Sequence, residues 1–251
     1  MQKDYKKIER IAIMLAVIGG TGFYSLGKEI ESRDIVTPYG VATLHMVSIA
    51  GTNIVFIPRH GKGHTVAPHK VNYRANIAAL EKIGVTGVLS FYASGIISKY
   101  KPGDLILIDD FIGLWTPATF YDDFSAGMKH VDFTKPFSDE MKKILQEVAA
   151  VNKLKLKKAG IMAATRGPRF ETRAEIKFLK KTGANLVNMT AGYEMALLGE
   201  SEIDFAAIAV ASNYAAGISK KPLTAEETLE VMAKSNGKLL TLVQGFVKEI
   251  I

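Results

Sequence analysis

The chain has 251 residues, 48% hydrophobic and 23% charged, which is the make-up of one globular α/β unit with an ample core. It has no cysteine, so a disulfide framework, a thiolate zinc site and a cysteine nucleophile are excluded. The net charge of +7 is modest, and no apolar run is long enough to read as a membrane-spanning helix. A cytoplasmic protein with no membrane or nucleic-acid partner is the expectation.

Lys3, Lys6, Lys7 and Arg10 precede an apolar run over 11–18. The run is short, lacks a small-residue cleavage pattern and flows into glycines, so a first buried strand over 14–18 is the better reading than a secretory signal. Met14 is an alternative start, which would make 1–13 an N-terminal extension of a single domain over 1–251. Gly19-Gly20-Thr21-Gly22 follows at once. Its glycines let backbone N–H groups approach an anion, and Thr21 adds a hydroxyl. A dinucleotide site is the rival, but the GxGxxG spacing fails because residue 25 is Ser25. Tyr24 and Lys28 have the YxxxK spacing of short-chain dehydrogenases, yet lie in the turn rather than on a later helix.

Residues 42–50 and 53–57 read as a hairpin around Gly51-Thr52. The second strand ends at Pro58-Arg59-His60-Gly61-Lys62-Gly63-His64, a second candidate anion loop in which arginine suits bidentate phosphate contact. His60, His64 and His69 do not make a metal site: glycines break the helix that would align them, and no carboxylate or cysteine completes a shell. A helix over 71–83 stops at Gly84, and a strand over 85–91 leads into Tyr92-Ala93-Ser94-Gly95. A strand over 105–108 follows the Pro102-Gly103 turn. The irregular stretch 113–136, with Trp115, Phe120, Tyr121, Phe124 and His130, is long enough to be functional or an interface. Ser138 caps a helix to about residue 152. The lysines of 153–158 read as a solvated face, since no aromatics interleave with them as stacking platforms.

A strand over 160–164 leads to Thr165-Arg166-Gly167-Pro168-Arg169-Phe170-Glu171-Thr172 and a short helix over 173–181. Phe170 could stack on a base and Glu171 could accept from a purine N–H. The plainer alternatives are a loop-anchoring ring and a helix-start carboxylate favoured by the dipole. Strands over 184–187 and 205–211 deliver Asn188-Met189-Thr190 and Ser212-Asn213-Tyr214. Ligands of open α/β sheets collect at such carboxyl ends. The hydroxyls, thioether and amide there suit a neutral heterocycle and a sugar beside a bound anion. A polar linker over 217–222 precedes a last helix, opened at Thr224 by a capping box and running to about residue 248. The alternation predicts one α/β domain with a central mixed sheet flanked by helices.

Taken jointly, Ile18-Gly19-Gly20-Thr21-Gly22, Pro58-Arg59-His60-Gly61, Lys70-Val71-Asn72-Tyr73-Arg74-Ala75-Asn76, Pro102-Gly103-Asp104, the run from Gly167 through Glu175 and Asn188-Met189-Thr190 resemble the trimeric purine nucleoside phosphorylase and methylthioadenosine phosphorylase family. The resemblance covers Leu15 to about Leu242. It implies a phosphate site from Thr21, Arg59, His60, Ala93, Thr190 and Ser212, with His60 and Asn213 as the catalytic residues. It implies Met189 against the ribose, Phe170 beside the base, and His130 reaching a neighbouring subunit's cavity in a homotrimer or dimer of trimers. No cofactor or metal is implied; inorganic phosphate is the co-substrate.

Departures from the family pattern refine the substrate. The methylthioadenosine enzymes have aspartates where this chain has Asn213 and Ala215, whereas the inosine and guanosine enzymes pair an asparagine with a glutamate matching Glu171. An amide donates to O6 or N7 of a 6-oxopurine, which a carboxylate cannot do unless protonated. Ala225 aligns with a histidine that binds the 5′-hydroxyl in the inosine enzymes, and with Thr228 it leaves room for a 5′-methylthio group. The combination resembles the methylthioinosine phosphorylases and implies phosphorolysis of S-methyl-5′-thioinosine to hypoxanthine and 5-methylthioribose 1-phosphate. Inosine/guanosine phosphorolysis, methylthioadenosine phosphorolysis and non-catalytic purine binding are the alternatives. Tyr92 stands where the family has a hydroxyl residue in the phosphate loop, so its bulk is expected to alter that site. Gly192-Tyr193-Glu194 replaces Val-Pro-Glu, so a different turn is expected after Thr190.

Overall fold

In the computed structural model, which describes residues 14–125 and 127–251, the buried apolar runs form the middle of a nine-stranded mixed sheet. β1 (Leu15–Gly19) is buried at every position and runs parallel to β4 (Thr52–Pro58) on one side and β5 (Gly87–Ile96) on the other. Its unbroken apolar sequence is what a strand covered on both faces requires. β3 (Gly40–Ile49) and β4 make the expected antiparallel hairpin, and β2 (Lys28–Thr37) adds an exposed outer edge. On the other side, β5 pairs with both β8 (Leu186–Asn188) and β9 (Asp204–Tyr214). β7 (Leu156–Ala164) and β6 (Leu105–Ile112) link β8 to β9, so this half of the sheet closes into a ring while the other half stays open.

Helices cover both faces, as the apolar periodicities predict. α1 (Tyr73–Lys82) and α4 (Ala191–Glu200) bring Ile77, Leu80, Met195 and Leu198 to one core. α2 (Asp139–Val151) and α5 (Ala225–Ile250) bring Leu145, Leu239, Val243 and Phe246 to the other. Each such buried side chain contributes about 2 kcal/mol of transfer free energy. α3 (Arg173–Lys181) seals the ring with Ile176 and Leu179. Ser138 accepts from Met141 N, as its N-cap role requires. Thr224 Oγ1 accepts from Glu227 N, but the full reciprocal capping box is found at α3, between Thr172 and Glu175.

β2 and α4 were not legible from pattern. β2 is exposed at nearly every position and shows no apolar alternation. α4 carries Gly192 and Tyr193, weaker helix formers, in its first turn, immediately after Thr190 and Ala191, and has a buried glutamate that breaks its apolar stripe. The stretch 113–136 has no helix or strand among its described residues, yet it is anchored. Glu200 at the end of α4 accepts from Thr119 Oγ1 at 2.7 Å and Phe120 N at 2.6 Å, and Arg74 grips Asp122. Gly22, at φ +76°, lets the first loop touch α5: a Cβ there would fall 2.4 Å from Met232 Cβ. The expectation for an extension over 1–13 lies outside the described residues. Among the described residues, no helix is long and apolar enough to cross a membrane.

Candidate active site

The carboxyl ends of β1, β4, β8 and β9 and the last residues of β5 surround a cavity of about 560 Å³. That is the size of a site for a small organic ligand. Thr21, Arg59, His60, Ala93, Phe170, Glu171, Met189, Thr190, Ser212, Asn213, Ala215, Ala225 and Thr228 all line it. His130 does not; it is exposed in the anchored loop with its ring edge-on to Phe124 at 5.6 Å.

At one end, Asn213 is held in one orientation. Its Oδ1 accepts from Ser212 Oγ at 2.7 Å and from Thr228 Oγ1 at 3.2 Å, and its Nδ2 donates to Tyr214 O at 3.3 Å. One amide N–H therefore remains for a ligand. Glu171 is buried on the wall of the same cavity, and its Oε1 accepts from Thr165 Oγ1 at 2.5 Å. Burial pushes the Glu171 carboxyl above its ordinary range, against the opposing hydrogen bond from Thr165. Phe170 also lines the cavity and is 40% exposed. Thr228, three residues after Ala225 on α5, contacts the amide and so bears on the base end as well as on the Ala225 wall.

The other end is built to receive an anion. Asn188 Oδ1 accepts from Thr190 N at 2.7 Å, Thr190 Oγ1 at 2.9 Å and Ala191 N at 2.8 Å, fixing the start of α4. Arg59 lies 3% exposed on the cavity wall, bound through Nε and Nη2 to Glu194 at 2.7 Å each. Burial opposes its charge, but the Glu194 carboxylate more than offsets this and holds the guanidinium above its ordinary value. His60 Nδ1 donates to Val66 O at 2.8 Å, which leaves Nε2 as an acceptor on the neutral ring. Burial, then the Arg59 charge, lower His60 from 6.5 to about 4. The neutral ring can accept the hydroxyl proton of a hydrogenphosphate, while Arg59 donates to its other oxygens.

The His60 shift has a stability consequence of known sign. Above pH 6.5 the ring is neutral whether the chain is folded or unfolded; below it the unfolded chain takes the proton first, so stability is lost as pH falls from 6.5 towards 4. The wild type is expected to lose about 3 kcal/mol more than His60→Asn between pH 7 and pH 4 in chemical denaturation. Parallel losses in the two proteins would refute the buried neutral assignment.

Three features of the site escaped sequence reasoning. Glu194 is buried on α4, an element with no pattern to announce it. Leu229 joins Ala225 and Thr228 on the cavity wall with Leu223, a grouping visible in the helical spacing from 225 to 229. Tyr24 and His64 also line the cavity, linked by a 3.1 Å hydrogen bond. The expectation for Tyr92 needs correcting. It does not line the cavity; it is buried behind it, donates its hydroxyl to Glu194 and lies under the Arg59 guanidinium at 4.4 Å. Among the described residues, no three His, Cys, Asp or Glu side chains are grouped to hold a metal ion.

Comparison with known proteins identifies the family. Residues 14–248 match the family described as the Phosphorylase superfamily. A probable 6-oxopurine nucleoside phosphorylase of Moorella thermoacetica is 42% identical, covering 94% of this chain and 93% of its own. A probable S-methyl-5′-thioinosine phosphorylase of Methanopyrus kandleri is 37% identical, covering 94% and 92%. Among solved structures, the methylthioadenosine phosphorylase of Schistosoma mansoni in complex with adenine superimposes with a TM-score of 0.88 at 29% identity, covering 95% of this chain and 92% of that one. A match over nearly the whole chain leaves no room for the dehydrogenase reading of the first glycine loop, and the chain belongs to the phosphorylase superfamily.

Proposed function

We propose that the protein cleaves the glycosidic bond of a 6-oxopurine nucleoside with phosphate, S-methyl-5′-thioinosine being the preferred substrate. The oriented amide of Asn213 carries this reading. Its free N–H suits O6 and N7, both acceptors in a 6-oxopurine, and Glu171 suits the N1–H beside them. In adenine N7 remains an acceptor, but N1 is an acceptor and the 6-substituent a donor, so the contacts at position 6 and N1 would be mismatched. Relatives named for 6-oxopurine and for methylthioinosine substrates support the same base class.

Cleavage at C1′ builds positive charge on the ribose and negative charge on the departing purine. Asn213 stabilises the purine through N7 and O6, and phosphate held by Thr21, Arg59, His60, Thr190 and Ser212 serves as nucleophile and counter-charge. Holding both reactants in one cavity removes the entropic cost of their encounter. No metal or organic cofactor enters. The Leu223, Ala225 and Leu229 wall supports a 5′-methylthio group, since it offers no hydrogen-bond partner to a 5′-hydroxyl. In this reading the protein is cytoplasmic and works in purine salvage as a trimer or dimer of trimers, with His130 of each copy closing a neighbour's cavity.

The test is phosphate-dependent base release from methylthioinosine, inosine, guanosine and methylthioadenosine side by side. Methylthioinosine is expected to lead. A lead for inosine or guanosine would keep the base assignment and overturn the 5′ assignment, favouring the reading suggested by the Moorella relative. A lead for methylthioadenosine would overturn the Asn213 argument.

A further inference from the structure

We propose that Glu194 and Tyr92, neither of which lines the cavity, are positioning residues that aim Arg59 at phosphate. The inference rests on the reading of Arg59 as a phosphate ligand. Three N–H groups of the guanidinium are spent inside the protein: Nε to Glu194 Oε2 at 2.7 Å, Nη2 to Glu194 Oε1 at 2.7 Å, and Nη1 to Phe91 O at 3.1 Å. One N–H each on Nη1 and Nη2 stays free. Nη1 lies against Gly20 so closely that a Cβ there would fall 2.4 Å from it. The free edge is thus brought to the glycine loop that carries Thr21, on the cavity wall.

What fixes that direction is the carboxylate behind it. Glu194 is 2% exposed and Tyr92 1%. Glu194 Oε1 accepts from both Arg59 and the Tyr92 hydroxyl, and the Tyr92 ring lies against the guanidinium face at 4.4 Å. The guanidinium plane is therefore held at one edge by the fork-to-fork pair and on one face by the ring, leaving the opposite edge to a ligand. β4 supplies Arg59 at its end, β5 supplies Tyr92 and α4 supplies Glu194, so three elements converge on this one direction. The tyrosine that departs from the family pattern in the phosphate loop acts on the site through its hydroxyl and from behind.

The experiment measures the phosphate KM, the nucleoside KM at saturating phosphate and kcat for wild type, Glu194→Gln and Tyr92→Phe, with the melting temperature as a folding check. The amide of Glu194→Gln turns a donor towards the guanidinium, so its phosphate KM is expected to rise about tenfold or more while the nucleoside KM stays within about threefold. Tyr92→Phe keeps the ring and the ion pair and is expected to raise the phosphate KM about threefold. Should Glu194→Gln fail to fold, Tyr92→Phe decides the matter alone. A lowered melting temperature with an unchanged phosphate KM in the folded variants would make the pair merely structural and overturn the proposal. Phosphate-independent base release by the wild type would overturn the phosphate-site reading itself, and this inference with it.

Discussion

Asn213→Asp is expected to reverse the base preference, lowering kcat/KM on 6-oxopurine nucleosides by about 10²–10³ and raising it on 6-amino ones. The side chain sits between two hydroxyl donors, Ser212 at 2.7 Å and Thr228 at 3.2 Å, that serve an amide oxygen and a carboxylate oxygen equally well. The substitution therefore keeps the two hydroxyl bonds that position the side chain, gives up the 3.3 Å bond from Nδ2 to Tyr214 O, and changes the atom that faces the base. Where the amide presents an N–H, aspartate presents a lone pair. Against O6 and N7 that is two acceptors in a buried site with no proton between them, which costs the lost bond and the desolvation of a charge. Against a 6-amino group the same lone pair is satisfied. The measurement is the ratio of phosphorolysis rates on methylthioinosine and methylthioadenosine, before and after the change. A ratio that does not move would falsify the assignment of Asn213 to the base.

The residues of this site were legible in the sequence because they stand at strand ends in glycine-rich or short loops. Arg59 and His60 follow β4, Asn188 ends β8 with Met189 and Thr190 just after it, and Ser212 and Asn213 close β9. At such junctions a polar side chain has no core role to explain it. The strands that carry them were legible for the opposite reason: β1 and residues 205–211 of β9 are apolar without a break because both faces are covered. Elements lacking either signal went unseen. β2 is an edge strand whose alternation is erased by exposure, and α4 mixes glycine, tyrosine and a buried glutamate on its inner surface. Glu194 was hidden with its helix. A carboxylate in a sequence reads as solvated until its partner is known, and the partner lies 135 residues away in the chain. Tyr92 was misjudged for a related cause: on β5, side chains alternate between cavity and core, and Tyr92 faces the core while Ala93 lines the cavity.

Arg59→Met is expected to abolish phosphate-dependent turnover, by about 10²–10³ or more, and also to destabilise the fold by about 3–5 kcal/mol. The second effect follows from what the substitution leaves behind. Glu194, 2% exposed, loses both guanidinium bonds and keeps only the Tyr92 hydroxyl, an uncompensated carboxylate in the core. A buried ion pair is a poor source of net stability, because desolvation of both partners consumes most of the Coulombic gain; halving it is what costs. Removing the whole cluster is therefore expected to recover stability. The triple variant Arg59→Met, Tyr92→Phe, Glu194→Leu should bring the denaturation midpoint back to near the wild-type value while turnover stays lost. The pairing of the two readouts separates the roles. If turnover returned together with stability, Arg59 would serve the fold alone and phosphate would be held by other residues. If the triple variant stays folded and inactive, the buried ion pair persists because the reaction needs a fixed cation at the glycine loop, a demand that an apolar core of equal stability cannot meet.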